Sequence, residues 1–429
     1  MRLSLLSCLL VGSLSGCRRP MAPPPAPESP PDWTQMLALI VPEGGSRLDQ
    51  EIRELEARAR RSPEKPETWV DLGRAWVRKA RGDNQRLAYR SADACAELAL
   101  RLAPDDAGAL ELRGMTLLED HRFEEARKLS QAEVERRPNH AQAWGTLSDA
   151  LLELGRYDEA VAAAQQMMHL KPNLPSYSRA SYLLWLRGER TRAKELVRLA
   201  MDAGQDQRDR EPLAWVTVQA AMLFWHEGDL EGAEAGFDRA LLFKPGYPPA
   251  LVGKARVALA RRKPLAAARM LEDAMAKAPL AETAGLLADA RRLAGDVAGA
   301  QAAEREVFRL GAEGDGRALS QYLSTHRMEP DRAVALAEAE RLNRQDLYTL
   351  DALAWALYRQ GRIVEAKAAS TQAIALGTPD ARLLYHAGAI RLAAGDRQQG
   401  VALLKKALGL NPAFDGNGTA EAKALLAHK

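Results

Sequence analysis

The chain has 429 residues, 47% of them hydrophobic, with 60 basic residues set against 57 acidic ones. That apolar content is enough to bury a large interior. The near balance of charge excludes a strongly basic nucleic-acid binder, which concentrates Lys and Arg on one face.

At the N-terminus, Arg2 precedes an apolar run from Leu3 to Leu14. This run is too short to span a bilayer but has the length of a signal-peptide core. It ends in Leu14-Ser15-Gly16-Cys17, which resembles the lipobox of bacterial lipoproteins, with small residues before a cysteine. The resemblance implies removal of residues 1–16, lipidation of Cys17 and a durable lipid anchor, since each buried methylene is worth ~0.8 kcal/mol. An ordinary secretory peptide with an incidental Cys17 is the alternative. Position 18 is Arg, not the aspartate that commonly retains such lipoproteins at the inner membrane. The expected location is therefore the cell envelope, on the periplasmic face of the outer membrane. With Cys8 removed and Cys17 lipidated, Cys95 has no partner for an intramolecular disulfide, and packing must supply the stability.

Residues 17–32 form the lipidated start and a tether containing Pro20, Pro23, Pro24, Pro25, Pro27, Pro30 and Pro31. Such a segment is extended, at ~3.1 Å per residue. Residues 33–65 read as an N-terminal helical half-repeat, with one helix over Leu48 to Ala59 that stops before Pro63.

From there a ruler takes over. Small residues recur at Ala92, Ala126, Ala160, Ala193, Ala233, Ala267, Ala300, Ala333, Ala366 and Gly400, mostly 33 or 34 residues apart with one step of 40. Pro104, Pro138 and Pro172 keep the same phase, as do Pro245 and Pro279. A stack of helical hairpins needs such a period; one globular core does not. The clearest copy runs from Ala141 to Asn173. Trp144, Leu147 and Leu151 share one helix face, and Gly155 ends that helix at positive φ. Ala160 lets the paired helices approach, and Pro172 stops the second helix. Ten copies are expected over 66–414, starting near Pro66, Ala107, Ala141, Leu174, Ala214, Pro248, Ala281, Gly314, Leu347 and Ala381. Gly155, Gly188, Gly228, Gly295, Gly361 and Gly395 mark their turns, and residues 415–429 suit a capping helix. The eighth copy is degenerate and its register the least defined.

Trp144, Leu147, Leu151, Gly155, Tyr157, Ala160 and Pro172 sit at the signature places of the tetratricopeptide repeat, and the chain resembles that family over about 350 residues. The resemblance implies an all-α, right-handed superhelical solenoid of about ten hairpins. It also implies a scaffold that binds a partner protein or peptide in its concave groove. Family members of this build serve pilus or secretion-system assembly, outer-membrane biogenesis and cell-wall enzyme recruitment.

In that family, positions 2, 5, 9 and 12 of each first helix line the groove. Those positions place Tyr182, Trp185, Trp215, Met222 and Trp225 in one group and Tyr322, Tyr348, Trp355, Tyr358 and Tyr385 in another. Rings on a concave surface bury area at low entropic cost. Packing of the same rings between neighbouring repeats is the competing reading. The basic and asparagine carboxylate clamp of chaperone-binding members is absent, since Val70, Arg74, Glu111 and Met115 hold the corresponding positions. The seven histidines form no close HxxxH or HxH pair. No phosphate cradle surrounds Gly311, Gly314 and Gly316, which read as a loose turn. Asn417-Gly418-Thr419 reads as a turn before the last helix, and Cys95 as a small buried residue. No enzyme activity, metal, cofactor, nucleic acid or small-molecule substrate is expected. The alternatives to partner binding are self-association into an envelope layer and an enzyme whose constellation is not recognisable in the sequence.

Overall fold

The structure, a computed structural model, describes residues 32–83, 86–205 and 209–427, all of it helix, turn and loop. The signal-peptide residues, Cys17 and nearly all of the proline tether lie outside the described residues. Two helices come first, α1 (Trp33–Ala38) and α2 (Arg47–Arg61). Ser46 and Asp49 close a capping box on α2, so the predicted helix starts one residue earlier than Leu48.

Ten hairpins follow. They are α3 (Pro66–Asp83) with α4 (Arg86–Leu102), α5 (Ala107–Glu119) with α6 (Phe123–Arg136), and α7 (Ala141–Glu153) with α8 (Tyr157–Leu170). Next come α9 (Leu174–Leu186) with α10 (Arg190–Ala203), α11 (Glu211–His226) with α12 (Leu230–Phe243), and α13 (Pro248–Ala260) with α14 (Pro264–Lys277). The last four are α15 (Ala281–Leu293) with α16 (Val297–Ala312), α17 (Gly316–Thr325) with α18 (Pro330–Arg341), α19 (Leu347–Gln360) with α20 (Ile363–Ala373), and α21 (Ala381–Ala393) with α22 (Arg397–Leu410). A final helix, α23 (Gly416–Ala427), packs on α21 and α22.

Eight first helices start where the ruler puts them. α11 begins three residues before Ala214, because Pro212 suits a helix start. α17 begins two residues after Gly314 and has ten residues, capped by Asp315. Two local expectations are corrected. Gly311 lies inside α16 rather than in a turn, and Asn417 to Thr419 form the first turn of α23 rather than precede it.

The ruler has a packing cause. Every alanine of the comb is at most 4% exposed, and a Cβ on Gly400 would stand 2.8 Å from Leu392. In three hairpins the comb alanine also offers its carbonyl to a serine of the facing helix: Ser148 to Ala160 (2.9 Å), Ser181 to Ala193 (2.7 Å) and Ser320 to Ala333 (2.7 Å). Such crossings leave no room for a larger side chain. The six turn glycines all have positive φ, between 72° and 87°. In three of the copies without a turn glycine, His121, Arg262 and Arg327 take the same left-handed conformation at φ 57°.

The solenoid also closes on itself through a clasp of three contacts between its turns and the segments one lap later. The turn of α7–α8 meets the segment before α19, where Gln345 N–H donates to the Glu153 carbonyl (2.8 Å) and Leu347 N–H to the Tyr157 hydroxyl (2.7 Å). The turn of α9–α10 meets the segment before α21, where the Thr378 hydroxyl donates to the Leu186 carbonyl (2.6 Å). The turn of α11–α12 meets the segment before α23, where Asn411 Nδ2 donates to the Trp225 carbonyl (2.7 Å). The three contacts join residues 190, 192 and 186 apart, so each turn meets the chain one superhelical lap later. Arg344 adds an ion pair to Glu153 at 2.6 Å.

Candidate functional site

Closure turns the concave side of copies four to ten into a lumen. A cavity of about 360 Å³ lies there, and seven first helices contribute to it, from α9 to α21 in alternation, together with the segment 411–415. Four of the ten aromatic and methionine candidates reach its wall: Tyr182, Met222, Trp225 and Tyr348. They come from both predicted groups, which closure brings together.

The remaining candidates stand elsewhere. Trp185 is 3% exposed and packs its ring on His226 (centroids 4.5 Å) and Tyr182 (6.0 Å). Trp355 is 1% exposed, stacked on His386 at 4.0 Å and surrounded by Tyr358 and Tyr385. Tyr385 is buried against Phe414, and Tyr322 against His326 with its hydroxyl donating to Glu304 (2.8 Å). Tyr358 is half-buried beside the Arg359 guanidinium. The expectation of a ring-lined groove is therefore corrected for Trp185, Tyr322, Trp355 and Tyr385, which pack between adjacent first helices and stabilise the wall, and Tyr358 lies off the lumen wall. Trp225 reaches the lumen but is itself buried, and its carbonyl serves the clasp. Trp215 is 39% exposed and lies off the lumen wall.

Most of the wall is polar. Arg256, Glu282, Arg317 and Arg382 project from the first helices, with Asp315, Asp380 and Asp415 at helix starts. Arg256 Nη2 pairs with Glu282 Oε1 at 2.6 Å, and that guanidinium holds the Glu282 carboxyl below its usual range against the effect of burial. Arg317 Nη1 reaches Asp346 at 3.4 Å. Asp380 caps α21 through the backbone N–H groups of Arg382 (2.8 Å) and Leu383 (3.4 Å) and accepts from the Tyr348 hydroxyl (3.4 Å). Burial works to raise its carboxyl, but His226, Arg382 and the backbone donors outweigh that and hold it low. Burial pushes His226, 3.7 Å from Asp380, below its usual value, and Arg256 and Arg382 reinforce the shift over the opposition of Asp380. The same burial drives the Tyr182 and Tyr348 hydroxyls far up, so both remain donors.

The charged wall was missed although its register was known. Arg256 occupies position 9 of its copy, and Glu282 and Arg382 occupy position 2, the positions that pick out Met222 and Tyr348. A search of those positions for every residue type, rather than for rings, finds them. Among the described residues no cluster of His, Cys, Asp and Glu has metal-ligating geometry, and no helix is long and apolar enough to cross a membrane. Cys95 is fully buried, and burial first and Glu56 second raise its thiol well above the ordinary range.

The fold and its lumen define an all-α solenoid of helical hairpins. Residues 112–175 match the family model described as Tetratricopeptide repeat, so the chain carries tetratricopeptide repeats in that segment. Tetratricopeptide repeat protein 33 of Xenopus laevis is 30% identical over 112 residues, which is 26% of this chain and 40% of that protein. The chain thus spans less than half the length of this curated relative. Among solved structures, the human IFIT1 dimer with m7Gppp-AAAA is similar over 87% of this chain and 94% of that one, at 13% identity and a TM-score of 0.49. A thermophilic TPR protein of Thermus thermophilus is similar over 45% of this chain and 99% of that one, at 21% identity and a TM-score of 0.40.

Proposed function

We propose that the chain is a lipid-anchored scaffold of the bacterial cell envelope that binds partner proteins and assembles or localises a complex there. The interaction role is supported by the repeat solenoid itself, which presents a long continuous surface from stacked hairpins. The anchor is supported by the sequence around Cys17 alone, and the outer membrane by Arg18. Trp215 supplies the partner contact, because it is the one ring among the candidates that is exposed, and it stands off the lumen wall. Aromatic anchors of this kind dominate interface energetics.

Envelope cross-linking followed by pull-down tests the reading, with wild type compared to Trp215→Ala after circular dichroism has confirmed the fold. A discrete partner captured by wild type and lost in the variant supports it. Equal capture by both moves the contact away from Trp215, and no specific capture by either removes the scaffold role. Cys17→Ala tests the anchor separately: release from membranes or a block in processing is expected, and unchanged membrane association refutes lipidation.

A further inference from the structure

We propose that the lumen is a binding chamber for a small carboxylate, seated on the guanidinium groups of Arg382 and Arg317. This goes beyond the scaffold role, which uses Trp215 off the lumen wall, and revises the expectation that the chain has no small-molecule ligand.

The charges of the wall sort themselves. Three arginines face four carboxylates there, but the carboxylates are already committed. Asp315 caps α17 through Ala318 N–H (3.2 Å), Asp380 caps α21, and Asp415 accepts from Gly418 N–H (2.6 Å) at the start of α23. Glu282 is held by Arg256 at 2.6 Å. Arg317 has one loose partner at 3.4 Å, and the Arg382 side chain has no ion pair or hydrogen bond among the described residues. A guanidinium carries five N–H donors in a fork that matches a carboxylate edge. In Arg382 that fork is half-buried and opens on the cavity.

Size and charge narrow the ligand. A volume of about 360 Å³ lies at the lower end of small-molecule pockets and is too small for a folded or helical segment. Four carboxylates against three guanidinium groups leave the lining with one more negative than positive group, which disfavours a multiply charged anion. Tyr182, Tyr348, Trp225 and Phe414 supply apolar faces with phenolic donors at their edges. A singly charged or zwitterionic carboxylate fits this wall better than a phosphate does.

The test is calorimetric titration of the protein with glutamate, butyrate and inorganic phosphate, each up to ~10 mM, a range that covers the weak millimolar affinities expected of a single ion contact. Saturable binding of glutamate or butyrate is expected. Arg382→Gln, with an unchanged circular dichroism spectrum, should weaken it by about tenfold or more. Arg382→Lys keeps the charge, loses the fork and should also weaken binding, so a misfolded glutamine variant does not rescue the idea. Arg190→Gln, on the outer surface, should leave binding intact. Stronger binding of phosphate than of either carboxylate overturns the ligand class. No saturable binding, or equal binding by wild type and both Arg382 variants, overturns the site. Loss of partner capture in the Trp215 experiment leaves this proposal standing.

Discussion

Gly155 and Gly295 end the first helix of two copies in the same left-handed conformation, at φ 72° and 81°. Alanine at either position is strained by that conformation, at a cost of about 1–2 kcal/mol. Only at Gly155 is there a second cost. A Cβ on Gly295 meets nothing within 4 Å, whereas a Cβ on Gly155 would stand 2.7 Å from the Gln345 carbonyl oxygen. That neighbour is backbone in the clasp, so the clasp must move. Two hydrogen bonds are at stake, Gln345 N–H to Glu153 and Leu347 N–H to Tyr157, each worth about 1 kcal/mol net. Gly155→Ala should therefore destabilise by roughly 2–4 kcal/mol and Gly295→Ala by roughly 1–2 kcal/mol. Urea titration gives the two midpoints, and hydrogen exchange locates the damage, because the amides of Gln345 and Leu347 should lose protection only in Gly155→Ala. Equal midpoints with an unchanged Leu347 amide would show that the clasp carries no free energy, and the lumen would then have no reason to stay closed.

Three further outcomes follow from single residues. Glu56 is 4% exposed with one carboxylate oxygen lacking a partner, and burial raises its carboxyl from 4.5 to about 7 despite Arg60 and Arg53. The folded protein thus keeps a proton that the unfolded chain has lost, so stability falls as pH rises from 4.5 to about 7, by roughly 3 kcal/mol in all. Glu56→Gln should flatten the urea midpoint between about pH 4.5 and pH 7; an unchanged slope removes Glu56 as its source. Trp355→Ala should cost about 3–5 kcal/mol in thermal or urea unfolding, against less than ~0.5 kcal/mol for Trp215→Ala, because one ring is core and the other surface. Arg262→Gly should stabilise by up to ~1 kcal/mol, since Arg262 holds φ 57° where other copies have glycine; a loss of stability there means that the side chain makes a contact of greater value.

Much of the fold was legible because each repeat announces itself through local steric demands. The turn glycines report positive φ, the comb alanines report close crossings, and the proline at the end of a second helix reports its stop. Those demands are satisfied within one hairpin and its neighbour, so they are written at a fixed spacing. The clasp is different. Gln345, Thr378 and Asn411 are ordinary polar residues in short connections, and each meets a chain turn almost two hundred positions earlier. Nothing in their local pattern signals that meeting. It arises from small rotations accumulated over successive hairpins, which the spacing of side chains does not encode. The fate of the rings follows from the same gap. Position 9 identifies Trp355 as facing inward, but whether inward means a groove wall or the packed seam between α19 and α21 depends on how tightly the superhelix is wound.

Tight winding also changes what inward-facing charge can do. In an open groove, Arg382 and Arg317 would be two solvated surface cations contributing little to any single contact. With Asn411 and the segment before α21 closing the lap, the same side chains face one shared cavity in which carboxylates already occupy the helix starts. A desolvated guanidinium with unused donors is costly to leave alone and selective once filled. The clasp is therefore coupled to the chamber in free energy: a ligand on Arg382 that favours the closed lap must strengthen the clasp by the same amount. Adding glutamate should then restore part of the lost protection at Leu347 in Gly155→Ala. If it binds wild type yet leaves that amide unchanged, the chamber and the clasp are independent parts of the molecule.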